Sequence, residues 1–462
     1  MTTHFIGIGG IGMSALAHLL LDRGEEVSGS DLGNSEVTQA LQHRGASVHY
    51  GHHVDHLPTT TRCVVVSSMV SSSNPEWQEA MQRGVPVLHR SELLAELMAG
   101  YEPLLVAGTH GKTTTSALLT WVLNSLGWDP SYAVGGLWQS GLVQIAPKHA
   151  PKALHRMAAH GHSGRGLYFV AEADESDGTF LRYPSRGAII TNCESDHLDF
   201  FGSMAALVQA FQRFASKIPR QHLIWCADDP LLRSLHLLGP SYGRHLQADY
   251  AVVESFPTSW GMHFRLRGPK QDFAEFAVPL LGEHNVLNAA SVVALLHTLG
   301  LQWSEIAEGM ATFPGMKRRC EPTSGQPLIL SDYAHHPTEV RATLAAIRAA
   351  IGSRRLVVAF QPHRYSRTQL LMEEFADSFH DADELILTDI YGACEAPIPG
   401  VSSEVLALHM QAHDQHLRLE PRTHLVQALE TLLGPEDVLV CMGAGDIDAV
   451  AHQLALRIPT GL

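Results

Sequence analysis

Ala107-Gly108-Thr109-His110-Gly111-Lys112-Thr113-Thr114-Thr115 stands between an apolar run, Pro103 to Ala107, and an apolar-rich helical stretch, Ser116 to Leu126. This reads as a strand, a glycine-rich turn and a helix start. Backbone N–H groups at such a helix start have no partner within the helix and, with its dipole, favour an anion. Lys112 adds a cation, and the Thr113 hydroxyl suits a metal ion carried on phosphates. The stretch lacks the four free positions between glycines of the common P-loop pattern, but the strand before it and the helix after it supply the same context. The expected ligand is ATP.

Working outward toward the N-terminus, residues 4 to 8 read as a strand and Met13 to Leu21 as a helix, with Gly7, Gly9 and Gly12 spelling Gly-x-Gly-x-x-Gly between them. A second strand, Glu26 to Gly29, leads into Ser30-Asp31, and Asp31 falls 19 residues after Gly12. This is the full dinucleotide fingerprint, and alone it favours NAD. Physically it selects a diphosphate on a helix N-terminus beside a nucleoside, which a UDP-sugar also provides. Strands at Cys63–Val66 and Val85–Leu88 complete a Rossmann-like unit. Ser67-Ser68 and Ser71-Ser72-Ser73 follow the first of these, on the ligand side of such a sheet, and read equally as a polar loop.

Toward the C-terminus, Lys148 to Gly166 carries His149, His155, His160 and His162 without acidic or cysteine company, so an exposed loop is expected rather than a metal site. The strand Tyr168–Ala171 runs into Glu172-Ala-Asp-Glu-Ser-Asp177, and Ala188–Asn192 delivers Glu194, Asp196, His197 and Asp199. Two adjacent strands with carboxylates at one edge, beside a Lys-Thr turn, point to metal-assisted phosphoryl transfer. His222 to Ala227 is a further strand, and residues 250 to 280 alternate as antiparallel ribbons. Gly282-Glu-His-Asn-Val-Leu-Asn288 opens an apolar helix on which Asn285 and Asn288 share a face, either as caps or as nucleotide contacts. Lys317-Arg318-Arg319 reads as a phosphate contact and an interdomain joint.

From about Glu321 a third α/β unit is expected, with strands Leu328–Leu330, Leu356–Phe360, Glu384–Leu387 and Val438–Cys441. Asp332-Tyr-Ala-His-His-Pro-Thr338 follows the first strand and Gln361-Pro-His-Arg-Tyr-Ser-Arg367 the second, both at strand ends where open sheets bind ligands. Arginine forks onto carboxylates, so His363, Arg364 and Arg367 suit an amino-acid carboxylate or the reacting acyl group. Gly443-Ala-Gly-Asp446 reads as a turn.

Composition sets the frame for these motifs. A chain of 462 residues exceeds one ordinary core, and 45 % apolar with 17 % charged residues describes a globular protein. A net charge of −15 argues against nucleic-acid partners and means that a nucleotide must be met by local donors. The six scattered cysteines read as reduced core thiols. Neither a signal peptide nor a bilayer-spanning run is expected, which places the protein in the cytoplasm without membrane insertion.

Taken together, Gly7-Ile-Gly-Gly-Ile-Gly-Met13, Gly108-Thr-His-Gly-Lys-Thr-Thr114, Glu172–Asp177, Glu194-Ser-Asp-His197, Gly282–Asn288, Lys317–Arg319, Asp332–Glu339 and Phe360–Arg367 run nearly end to end. In this order they resemble the Mur ligase family. The resemblance implies an α/β protein of three domains: 1–101, Rossmann-like, for a UDP-sugar; 102–320, a central P-loop ATPase-type α/β domain; and 321–462, a C-terminal Rossmann-like domain for the amino acid. It implies ATP-dependent joining of UDP-N-acetylmuramate and L-alanine through an acyl phosphate, with Mg²⁺ (or Mn²⁺) as cofactor, by a monomer or weak homodimer.

By the same resemblance ATP is met by Gly108, Thr109, His110, Gly111, Lys112, Thr113, Thr114, Asn285, Asn288 and Arg319. Asp332 places the C-terminal domain on the nucleotide, and Thr113, Glu172 and His197 hold the metal. Gly9, Gly10, Ile11, Gly12, Asp31 and Ser68 take the UDP-sugar, while His336, His363, Arg364 and Arg367 line its carboxylate and the alanine. Lys112, His197, His336 and Arg364 are the implied catalytic residues. One departure is the lysine that several members carry carbamylated. Gln209–Gln212 has none and Lys217 lies more than a turn later, which points to the alanine-adding branch. The competing readings are a nicotinamide-dependent oxidoreductase, a ligase that recycles a tripeptide onto the same sugar, and a non-enzymatic nucleotide-binding relative.

Overall fold

Three parallel-rich sheets organise the described residues, with short apolar strands at their centres buried on both faces. The computed structural model describes residues 1–139, 159–323, 326–393, 395–411 and 416–458. By backbone packing these form two compact units. One comprises Met1–Glu254, Phe264–Val278 and Leu287–Pro314; the other Ser255–His263, Pro279–Val286 and Gly315–Leu462.

The first unit holds two sheets. In the first, the order is Ser47–Tyr50, Glu26–Asp31, Thr2–Ile6, Thr61–Val66 and Val87–His89, all parallel. The chain leaves the central strand Thr2–Ile6 toward one side and later returns to its other side, which opens a crevice at the carboxyl ends of Thr2–Ile6 and Thr61–Val66. The Gly7–Gly10 turn and Ser67-Ser68 flank that crevice. Gly29 lies where backbones crowd: a Cβ there would sit 2.7 Å from the Phe5 carbonyl oxygen and 2.8 Å from Ile8 Cδ1.

The second sheet has ten strands among the described residues. Its order is Phe273–Val278, Gly261–Arg267, Tyr250–Thr258, Ser241–Gly243, Leu223–Cys226, Gly187–Ile190, Glu102–Ala107, Tyr168–Glu172, Ser131–Ala133 and Gly161–His162. Glu102–Ala107 feeds the Lys112–Ser125 helix through the glycine turn. The two acid-bearing strands, expected to be neighbours, lie instead on either side of Glu102–Ala107, each parallel to it. A crossover after Tyr168–Glu172 carries the chain past the already formed central strand, so carboxylates bracket the phosphate turn.

In the second unit the order is Glu321–Pro322, Leu328–Asp332, Val438–Met442, Leu356–Phe360, Glu384–Leu387 and Leu417–Leu419. Period-two alternation splits its apolar side chains between two faces. Val358 and Phe360 pack with Leu344, Ile347 and Phe375 on one, and Val357 and Ala359 with Leu439, Val450 and Leu454 on the other.

Six of the described strands, Ser47–Tyr50, Ser131–Ala133, Gly161–His162, Ser241–Gly243, Glu321–Pro322 and Leu417–Leu419, escaped the sequence reading because none exceeds four residues, too short to show a period. The histidine-rich loop lies partly outside the described residues, His149 and His155 included. His160 and His162 depart from the exposed loop expected there. His160 is buried, and His162 ends the short strand Gly161–His162 with Nδ1 2.8 Å from Asp22. Cys63, Cys193, Cys226 and Cys441 are buried free thiols and Cys320 is half-buried, while Cys394 falls outside the described residues. Among the described residues no helix is long and apolar enough to cross a membrane.

Because the Gly29 site has no room, Gly29→Ala is expected to destabilise the first sheet by about 1–3 kcal/mol through overpacking. Urea unfolding followed by circular dichroism checks this; an unshifted first transition would contradict it.

Candidate functional site

The first sheet's edge is assembled by backbone bonds. Ser30 O accepts from Gly7 N (2.8 Å) and Ile8 N (3.0 Å), and Asp31 Oδ2 accepts from Gly9 N at 2.8 Å. Glycine is required at position 9, where a Cβ would lie 2.9 Å from both Asp31 Oδ2 and Thr38 Cγ2. Ile11, at the helix start, keeps 43 % of its surface exposed although it is apolar.

The acidic run after Tyr168–Glu172 divides its work, one partner set for each carboxylate. Glu172 accepts from Thr113 Oγ1 and Ser116 Oγ, both at 3.3 Å, and from Gly135 N. Asp174 meets Arg90 at 3.3 Å. Glu175, almost fully buried, meets Lys112 Nζ at 2.8 Å. Asp177 accepts from Ser68 Oγ at 2.9 Å and lies 3.5 Å from Arg90. Arg90 also flanks the first sheet's turn, its Nη1 lying 3.4 Å from where a Gly12 Cβ would be.

Lys112 Nζ donates to Gly108 O (2.7 Å) and Glu175. Burial works against its charge, but Glu175, Asp174 and Glu172 hold its pKa above the ordinary lysine value, so it stays a cation. Burial pushes the Glu172 carboxyl up, opposed by Gly135 N and Lys112. An arriving cation relieves such a carboxylate. Glu172 and the Thr113 hydroxyl are oxygen donors, the set a hard cation such as Mg²⁺ takes, so the residues fit that ion. His197, with φ +55°, starts the Leu198–Phe201 turn of helix, and its Nε2 is 3.6 Å from Asp196. The Asp199 side chain lies outside the described part.

The turn itself is pinned from the Gly187–Ile190 side. Thr191 Oγ1 donates to His110 O (2.6 Å), Asn192 Oδ1 accepts from His110 N (2.8 Å), and Glu194 N donates to Thr109 Oγ1 (2.9 Å). Gly111 has φ +83°, and a Cβ there would be 2.6 Å from Asn288 Oδ1, so buried Asn288 lies directly on the turn. A cavity of about 510 Å³ opens beside it, lined by Thr191–Ser195, Asp228–Leu231 and Leu287. Another of about 520 Å³, lined by Arg220, Gln221 and Leu238, sits at the opposite, amino end of the strands, away from the carboxyl edge where ligands bind.

In the second unit Asp332 Oδ1 accepts from Ala334 N and Oδ2 from Cys320 N, both at 2.8 Å. Burial raises its pKa against the pull of Arg319. Arg319 and Arg318 lie over the Tyr333 ring at 5.3 and 4.7 Å. In the three-cation run, Arg318 turns its Nη2 to Gly443 O (2.7 Å) and Gly445 O (2.9 Å). That makes the 443–446 turn more than a connection. It lies between the Asp332 and Gln361 strand ends and accepts Gln361 Nε2 on Asp446 at 2.8 Å. Asn285 Nδ2 donates to Leu281 O at 2.8 Å, as a helix-start amide does.

His336 caps the Pro337–Ile351 helix. His335 sits between Glu339 (3.3 Å) and the His363 ring (5.8 Å), and His363 stacks on Tyr391 and lies 3.3 Å from Arg367 Nη1. Arg364 Nε donates to Glu395 at 2.6 Å, and Glu395 also takes Ser366 N and Oγ. Glu395 and Tyr391 had no local signal in the sequence, because they reach this edge from the loop after a different strand. Lys217, the nearest lysine to the missing carbamylated one, donates to Leu181 O.

Comparisons with known proteins bear on this geometry. The chain matches three family profiles in order: Mur ligase family, catalytic domain, over residues 2–102; Mur ligase middle domain over 106–296; and Mur ligase, glutamate ligase domain, over 318–445. It is 41 % identical to a UDP-N-acetylmuramate–L-alanine ligase of Geobacter sp. (strain M21), covering 98 % of this chain and 97 % of that one. It is 40 % identical to another such ligase of Gloeobacter violaceus, covering 98 % and 95 %. The crystal structure of the UDP-N-acetylmuramate-alanine ligase of Thermotoga maritima superposes with a TM-score of 0.84 at 27 % identity, covering 99 % of both chains. A murein peptide ligase from Psychrobacter arcticus, at 24 % identity, TM-score 0.74 and full coverage of both, shares the fold.

Three imidazoles of the second unit are held neutral. Burial, then Arg319, lowers His284 to about 4. Burial lowers His335 to about 3, with Arg367 adding to it against Glu339, and burial with Arg367 and Arg364 lowers His363 to about 4. An unfolded imidazole titrates near 6.5. Between those values the unfolded chain binds protons that the folded unit refuses, so this contribution is complete above 6.5 and is lost as pH falls toward 4. The melting temperature is therefore expected to fall between pH 7 and pH 5, and His284→Gln to flatten that slope. A variant with an unchanged slope would contradict the assignment.

Proposed function

We infer the reaction from the premise that the chain belongs to the Mur ligase family, whose three domain profiles it matches from end to end. It is an ATP-dependent ligase of peptidoglycan synthesis that joins UDP-N-acetylmuramate to L-alanine. The observation that carries the chemistry is the hydroxyl–carboxylate pair, Thr113 and Glu172 at 3.3 Å, set beside Lys112 at a helix N-terminus. That arrangement suits a triphosphate with a hard cation, and a nicotinamide dehydrogenase has no need of it.

A free carboxylate does not acylate an amine; mixing the two gives a salt. Transfer of the γ-phosphoryl group to the lactyl carboxylate turns one of its oxygens into a leaving group. The alanine amine then adds to the carbonyl carbon, the C–O bond to phosphate breaks, and the amine proton passes to solvent or a nearby base. Gly108 to Thr114 and Asn288 hold ATP in the first unit, and Asn285, Arg319 and Asp332 serve the nucleotide in the second. Lys112 binds the transferring phosphate, and Glu175 keeps it charged and aimed.

Thr113, Glu172 and His197 hold Mg²⁺, which when bound offsets the repulsion between the two anionic reactants. The nitrogen donor of His197 suits Mn²⁺ as well. Gly9, Gly10, Ile11, Gly12, Asp31 and Ser68 meet the UDP moiety. His336, His363, Arg364 and Arg367 serve the sugar carboxylate and the alanine. His335 and His363, being neutral, add no charge beside the arginines. We take the domains as 1–101, 102–320 and 321–462, the protein as cytoplasmic, and the assembly as a monomer or weak homodimer.

Phosphate release with UDP-N-acetylmuramate, ATP, Mg²⁺ and L-alanine tests the reading, with serine, glycine and a tripeptide as alternative amines. Release that requires both sugar and alanine is expected; none with alanine would refute it. Lys112→Ala should lower kcat by at least ~100-fold, as loss of a transition-state cation does, and near-normal turnover would remove Lys112 from the site. Arg364→Ala should raise the KM for alanine about tenfold or more and leave the KM for ATP unchanged. A shift confined to ATP would overturn the assignment of that edge.

A further inference from the structure

Behind the first sheet's nucleotide edge stands an acid with no exposed surface, Glu76, on the first turn of the Pro75–Gln82 helix. Taking a carboxylate out of water costs several kcal/mol unless other donors replace the water. Here they do. Oε2 accepts from Ser30 Oγ at 2.6 Å and lies 2.9 Å from His4 Nε2. Oε1 accepts from His53 N at 3.1 Å and lies 3.3 Å from His56 Nδ1 and 3.5 Å from His52 Nδ1. Burial pushes the carboxyl up, but the bonds from His4, Ser30 and His53 bring it down to about 2.

Proton positions follow from the chemistry. An ionised carboxylate only accepts, so the Ser30 hydrogen points to Glu76. The Ser30 oxygen must then accept from His52 Nδ1, 2.9 Å away. The same rule puts hydrogens on His4 Nε2 and His56 Nδ1. Among the described residues these nitrogens and oxygens do not close to metal-ligand spacing, so the cluster is a proton-bonded network. Packing does not ask for a charge there: the adjoining core of Ile6, Leu57, Val64, Val66 and Ala80 is apolar.

What Glu76 grips is telling. Ser30 O carries the bonds from Gly7 N and Ile8 N that shape the glycine turn, and Asp31, the next residue, holds Gly9 N. On the far side Gly51 N donates to Asp31 O at 2.8 Å, and the residues that follow are His52 and His53. Glu76 thus holds the chain on both flanks of Asp31. We propose that Glu76 is a positioning residue for the UDP end of the sugar substrate, fixing Ser30, Asp31, the glycine turn and the 51–56 loop in their binding geometry without touching the substrate. This rests on the reading that this edge takes UDP.

The test is Glu76→Gln in the full chain. Glutamine keeps the shape, yet whichever way its amide turns, an NH2 faces groups that are themselves donors. The KM for UDP-N-acetylmuramate and the Ki of UDP as competitive inhibitor should both rise about tenfold, as when a supporting hydrogen-bond partner is lost. The kcat and the KM values for ATP and alanine should stay near wild type. Ser30→Ala, which removes one of the bonds and leaves the acid in place, should move the same two constants less, and it carries the test should Glu76→Gln not fold. Sugar KM and UDP Ki that stay put would overturn the proposal, and so would a uniform fall of kcat and of all affinities, which marks a merely structural acid. Wild-type turnover that UDP does not inhibit would instead refute the UDP reading of the edge, and the proposal with it.

Discussion

A cation buried where a parallel strand ends is the constraint on which the central domain depends. Lys112 lies at the start of a helix, in a chain with a net charge of −15, and is kept ionised by buried Glu175 and half-buried Asp174 and Glu172. Removing either member of a buried pair leaves the other uncompensated, so Lys112 and Glu175 hold one another in place as much as they serve a ligand. The pair lies where the strand Glu102–Ala107 runs between Tyr168–Glu172 and Gly187–Ile190. One flank supplies the acids, the other the Thr191 and Asn192 bonds that shape the turn. A triphosphate is therefore met at the turn itself by Lys112 and the unpaired N–H groups of the helix start, within a chain of net negative charge.

The other two sheets use the same construction with different chemistry. In the first, the glycine turn is tied to Ser30 and Asp31, the edge we propose for a nucleoside diphosphate, with Glu76 bonded to Ser30 behind it. In the third, arginines rather than a lysine stand at the edge, and the imidazoles beside them are held neutral by burial and by those same arginines. Guanidinium groups fork onto carboxylates, so this edge suits an amino acid, while the central one suits phosphate.

Much of this was readable from residue order. Glycine-rich turns after apolar runs, Lys-Thr at a helix start, acids after the next strands and the His-Arg segments each state a local backbone need or a chemical need. Where the reading fell short, the information was not local. The strands Ser47–Tyr50 and Leu417–Leu419 are edge strands of four and three residues, too short for a pattern to show. The charge of Arg318 is visible in the sequence, whereas the carbonyls its Nη2 meets, those of Gly443 and Gly445, lie more than a hundred residues away. Glu395 and Glu76 gave no signal for the same reason.

The sequence alone determined which turns have the glycines and helix starts that suit an anion, where the strands that carry them lie, and which family and reaction these imply, since each depends on residues within one turn or one helix face. Tertiary structure alone decided that the acid-bearing strands bracket the phosphate turn, which carboxylate pairs with which cation, and which arginine is spent on carbonyls. It also decided that His160 is buried and that histidines converge on Glu76. Crossover order and burial set those outcomes, and both arise from packing between segments far apart in the chain, where no local spacing can encode a partner.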